Sequence, residues 1–107
     1  MRVYISGAIS GELPNKSFWA FYNARQKLDR LGCDVVNPRM ISHWGLSWQT
    51  YMQIAFDILN SGEIDAVYML DGWEKSRGAT LERYMARLAG IPVAYETPRT
   101  PEAGANL

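Results

Sequence analysis

Asp65-Ala-Val-Tyr-Met-Leu70, then Asp71-Gly-Trp-Glu-Lys-Ser-Arg-Gly78, then a stretch of helical periodicity to Ala89, then Pro92-Val-Ala-Tyr95, is the segment whose reading decides the fold. A short apolar run, a polar loop ending at a serine, an amphipathic stretch and a second short apolar run make one βαβ unit. The same alternation continues toward the amino terminus. Val3-Tyr-Ile5 precedes a helix expected over about residues 16–31, and Asp34-Val-Val36 precedes another over about 48–61. Strands that read as short apolar runs between helices belong to a parallel sheet covered on both faces. The expected architecture is a small doubly wound, Rossmann-like or flavodoxin-like α/β layer of about four strands in the order 2-1-3-4. In such a layer the ligand crevice lies beyond the carboxyl ends of the central strands, where the loops after strands one and three meet.

One residue in the deciding segment is out of place for stability. On a wheel of about 100° per residue, Glu82 falls with Gly78, Met85, Ala86 and Ala89, while Arg83 and Arg87 point the other way. A carboxylate facing a sheet is either paired, with Arg2 or Arg39 as candidate cations, or used. Ser76 is a natural N-cap for this helix, whose free N–H groups favour an anion. Gly78 in the first turn costs about 1 kcal/mol relative to alanine, and close approach of a ligand is the expected reason.

The loop after the first strand, Ser6-Gly7-Ala8-Ile9-Ser10-Gly11, supplies glycines that permit positive φ and close approach of backbone amides to an anion or sugar. Its spacing differs from the dinucleotide-binding fingerprint, and a tight turn explains it equally well. Asp57 shares the polar face of the middle helix with Thr50, Gln53 and Asn60, where solvation is the plain expectation. Trp44, Trp48 and Trp73 stand in or beside loops at the expected crevice, as stacking partners for a planar base or as core. His43 is expected on a loop surface.

Composition narrows the classes further. The 107 residues hold one domain, expected over residues 1–96, with 97–107 a loop or disordered tail. Eleven basic and eleven acidic residues leave no electrostatic footprint for nucleic acid or an anionic membrane, so recognition of a phosphate has to be local. No apolar run approaches the length of a membrane span, and no signal-peptide layout opens the chain. One cysteine, Cys33, and one histidine leave no disulfide and no His/Cys metal cluster. The expectation is a cytoplasmic protein without metal or cofactor. On the middle helix Trp48, Tyr51, Met52, Ile54, Ala55, Phe56, Ile58 and Leu59 span an apolar arc of about 200°, too wide for one sheet face. Pairing of that helix with its copy in a homo-oligomer is the expected cover.

Tyr4-Ile-Ser-Gly-Ala-Ile-Ser-Gly11, Asp57 and Ser76-Arg-Gly-Ala-Thr-Leu-Glu82 together resemble the nucleoside 2-deoxyribosyltransferase superfamily, nearest its deoxyribonucleoside 5′-monophosphate N-glycosidase branch. The resemblance spans residues 2–96. It implies that Glu82 is the nucleophile toward the anomeric carbon of a 2-deoxyribosyl group, kept ionised with help from the start of its helix. It also implies that Asp57 protonates or orients the departing base and that Tyr4 holds Glu82 by a hydrogen bond. Ser6, Gly7, Ile9, Ser10, Gly11, Ser76, Arg77 and Gly78 would bind the sugar and its 5′ end. The N-glycosidase loop carries Ser and Arg where this chain has Ala8 and Ser10, so Lys75 or Arg77 would supply any cation for a phosphate. The expected activity is cleavage or exchange of an N-glycosidic bond on a 2-deoxynucleoside or its 5′-monophosphate, with hydrolysis favoured over transfer. A non-catalytic nucleotide-binding module and a ribonucleotide phosphoribohydrolase are the alternatives.

Overall fold

A computed structural model describes residues 1–9, 14–38 and 46–97; Ser10, Gly11, Arg39, His43, Trp44 and the tail beyond residue 97 lie outside them. Strand β1 (Arg2–Ser6) leads to α1 (Pro14–Arg30), β2 (Asp34–Val36), α2 (Trp48–Leu59), β3 (Ala66–Met69), a 3₁₀ turn (Trp73–Lys75), α3 (Arg77–Leu88) and β4 (Val93–Tyr95). The four strands form an all-parallel sheet in the order 2-1-3-4, the expected doubly wound layer. β1 is central, its Tyr4 aligned with Val36 on one side and Val67 on the other.

Alternation along β1 sorts the two cores. Val3 and Ile5 pack with Phe21, Ala24 and Leu28 of α1, and with Tyr68 and Leu70. Tyr4 points to the opposite face, where Ala55 and Leu59 of α2 and Ala79 and Ala86 of α3 join Val67 and Met69. Successive side chains of a strand point to opposite faces, so Ser6 shares the face of Tyr4. Each helix turns toward the sheet the residues that its 3–4 periodicity selects: Met52, Ala55 and Leu59 from α2, and Ala79, Glu82 and Ala86 from α3.

Local chemistry sets the helix ends. Ser47 caps α2 by accepting from Thr50 N at 3.1 Å, and Ser76 caps α3 by accepting from Ala79 N at 3.1 Å. α3 closes with Gly90 at φ 75°, which lets Ile91 N donate back to Ala86 O at 2.9 Å.

One expectation changes. Gly7 does not take a left-handed φ; a Cβ there would lie 2.9 Å from Leu70 Cδ1 and 3.0 Å from Leu70 Cβ. The glycine is required by close packing of the loop after β1 on the end of β3. On α2, which packs on α3, Met52, Ala55 and Leu59 are buried while Trp48, Tyr51, Ile54, Phe56 and Ile58 are half-buried. Exposed aromatics cluster on α1, where Phe18, Trp19 and Tyr22 contact one another with ring centroids 5.2 to 5.9 Å apart. Among the described residues no helix is long and apolar enough to cross a membrane.

Candidate active site

Glu82 occupies the second turn of α3 over the face of β1 that carries Tyr4 and Ser6. It is 2% exposed. Tyr4 Oη donates to Glu82 Oε2, and Ser6 Oγ donates to Oε1 at 2.8 Å, so each carboxylate oxygen has one hydroxyl donor. Arg2 is not its counter-ion: that guanidinium pairs with Asp34 at 3.0 Å and Glu63 at 3.4 Å. Arg39 lies outside the described residues, and among those described no cation pairs with Glu82.

A buried carboxylate held only by neutral donors has lost water without gaining a compensating charge. Burial pushes the Glu82 pKa from 4.5 to about 7, while the hydrogen bonds from Tyr4 and Ser6 pull weakly the other way. Desolvation thus opposes the ionised form that the start of the helix is expected to favour. Tyr4 is raised well above its usual range, by burial first and by the neighbouring Glu82 charge second.

Above Glu82 opens a hollow of about 460 Å³. This is within the usual range for small-molecule sites. Gly7 and Ile9 come from the loop after β1; Lys75 ends the 3₁₀ turn and Ser76, Arg77, Gly78 and Ala79 follow it at the start of α3; Leu46 precedes α2, and Trp48 and Tyr51 lie in its first turn. The two loops do meet at the carboxyl ends of the central strands. Lys75, Arg77 and the free N–H groups of α3 make one wall favourable to an anion. Arg77 Cζ lies 4.1 Å from the centroid of the Trp48 ring, so a cation occupies one aromatic face on that wall. Gly78 lines the hollow but also serves packing, since a Cβ would stand 3.3 Å from Met52 Sδ and 3.6 Å from Trp48 Nε1. Close approach of α2 explains this glycine without a ligand.

Two expected members are elsewhere. Asp57 is exposed, accepts from Gln53 Nε2 at 3.0 Å, and borders a separate hollow with Arg2, Val36 and Glu63. Being six residues beyond Tyr51, it is roughly 9 Å further along the helix axis, toward the opposite end of the sheet. It is not among the residues that line the hollow above Glu82. Trp73 lines a third hollow of about 230 Å³ beside Tyr95, with Arg83 Cζ 5.0 Å from its ring centroid. Of the two described candidates, Trp48 and not Trp73 lines the hollow above Glu82; Trp44, like Ser10 and Gly11, lies outside the described residues.

One member was missed. Tyr51 was read only as part of the apolar arc of α2, yet it lines the hollow one turn after Trp48. Its Oη is buried beside Tyr4 and makes no hydrogen bond of ordinary geometry among the described residues; burial first and the Glu82 charge second push its pKa far up, and Tyr4 pulls the other way. An unsatisfied buried hydroxyl costs about 1–3 kcal/mol. The signal was present in the sequence, because a tyrosine brings a polar tip to an apolar stripe and that tip needs a partner.

Residues 1–95 match the family described as a domain of unknown function, DUF4406, and the chain belongs to that family. No curated protein and no solved structure matches it.

Proposed function

We propose that this DUF4406 domain cleaves the N-glycosidic bond of a 2-deoxynucleoside or its 5′-monophosphate, with Glu82 as nucleophile and water as the favoured acceptor. The observation that carries the reading is Glu82 itself. A carboxylate 2% exposed, held by Tyr4 and Ser6, without a cation among the described residues and at the floor of an open hollow, is a costly arrangement that packing alone does not require. The motif resemblance to nucleoside 2-deoxyribosyltransferases names a chemistry for it.

In that chemistry a Glu82 oxygen forms a bond to C1′ as the C1′–N bond breaks, through an oxocarbenium-like transition state. The bonding pair leaves with the base, which takes a proton from water, since Glu82 is the only acid lining the hollow among the described residues. Water then adds to C1′, loses a proton, and restores the carboxylate. Tyr4 and Ser6 hold the side chain in one rotamer, which lowers the cost of reaching an attack geometry. Lys75, Arg77 and the amino end of α3 suit a 5′-phosphate at the wall of the hollow.

The displacement of Asp57 from the hollow favours one rival, a nucleotide-binding module without turnover. Incubation with deoxy- and ribonucleosides and their 5′-monophosphates, with and without a second free base, separates the two when released base is resolved by chromatography. Release that disappears in Glu82→Gln while binding survives supports the glycosidase. Tight binding with no release by the wild type selects the binding module, and release from ribonucleotides alone selects a phosphoribohydrolase.

A further inference from the structure

Tyr4 and Ser6 each direct a hydroxyl to Glu82, whereas Tyr51, which lines the same hollow from α2, has a buried hydroxyl that lies beside Tyr4 and makes no hydrogen bond of ordinary geometry among the described residues. Trp48 and Tyr51 are three residues apart and so share one helix face, an aromatic wall ending in one uncommitted polar atom. Buried polar groups are ordinarily satisfied, and one left open at the wall of a hollow is where a ligand's polar group completes the bonding.

We infer that Tyr51 is a specificity-determining residue of this site, its hydroxyl hydrogen-bonding the 3′-hydroxyl of the 2-deoxyribosyl group that Glu82 attacks. The inference rests on the glycosidase reading and adds the sugar contact to it. Displacement of a base at C1′ proceeds from the sugar face opposite the base. In a β-furanosyl nucleoside the 3′-hydroxyl lies on that same face, so a hydroxyl group beside the nucleophile meets it. The contact anchors the ring while C1′ faces Glu82, and its loss appears in kcat as well as in KM.

The test compares the full chain and Tyr51→Phe on a 2′-deoxynucleoside 5′-monophosphate and on its 2′,3′-dideoxy counterpart. Phenylalanine keeps the ring and removes only the unpartnered oxygen, so thermal denaturation should show a variant at least as stable as the wild type. The wild type is expected to lose about tenfold in kcat/KM when the 3′-hydroxyl is removed, the value of one hydrogen bond. Tyr51→Phe should lose a similar factor on the deoxy substrate and then treat both substrates alike within about twofold. Undiminished discrimination by Tyr51→Phe overturns the assignment while leaving the glycosidase standing. Destabilisation of the variant also overturns it, by showing that the hydroxyl serves the fold. A wild type that releases base from neither substrate defeats the glycosidase reading and this inference with it.

Discussion

Glu82→Gln should change how stability depends on pH, with a sign that follows from burial. The folded protein holds the Glu82 proton to about pH 7, whereas the unfolded chain releases it near 4.5. Between those values the folded state binds the additional proton, so this group's contribution is fully present below about pH 4.5 and is lost as pH rises through about 7. A gap of roughly two and a half pH units, at about 1.4 kcal/mol each, amounts to about 3 kcal/mol. Glutamine has nearly the shape of the protonated acid and does not titrate. Urea denaturation of both proteins from pH 4 to 9, followed by tryptophan fluorescence, isolates the effect because every other group is common to both. The variant's stability relative to wild type should be level near pH 4, rise by about 3 kcal/mol toward pH 8, and then level off. A pH-independent difference would refute the desolvation argument. A variant that loses ground as pH rises would refute it more strongly, since it would mean that Glu82 is stabilised as an anion.

Catalysis should carry the opposite face of the same titration: attack needs the carboxylate, so base release should climb with pH through about 7. Because the Tyr4 hydrogen bond lowers that pKa, Tyr4→Phe should move the rise to higher pH, and an unmoved or lowered midpoint counts against the contact. Gly7→Ala forces a methyl to within 3.0 Å of Leu70 and should cost about 1–3 kcal/mol by urea denaturation. Gly78→Ala meets the flexible Met52 at 3.3 Å while gaining up to about 1 kcal/mol of helix propensity, so its stability should stay within about 1 kcal/mol of wild type; a loss as large as that of Gly7→Ala would contradict this account. Asp57→Asn, remote from the hollow, should leave base release within about twofold. A collapse of activity in that variant would require Asp57 to reach the site of a second copy.

Much of the scaffold is written locally. The alternation of short apolar runs with amphipathic stretches determines strand, helix and layer, because burying a sheet on both faces and a helix on one stripe leaves few arrangements. Ser47 and Ser76 mark their helix starts through contacts three residues long. The wheel placed Glu82 on the inner face of α3 because that question involves one helix. Questions that involve two or more elements were settled only by tertiary structure. A wheel does not show that Arg2 is engaged by Asp34 and Glu63, that Asp57 borders another hollow, or that Trp73 belongs with Arg83 and Tyr95. It cannot show that Gly7 is required by Leu70. The charge state of Glu82 and the open bond of Tyr51 depend on how completely water is removed from the space between β1, α2 and α3. That exclusion belongs to the packed assembly, so the sequence determined which residues face inward, and packing decided what they meet there.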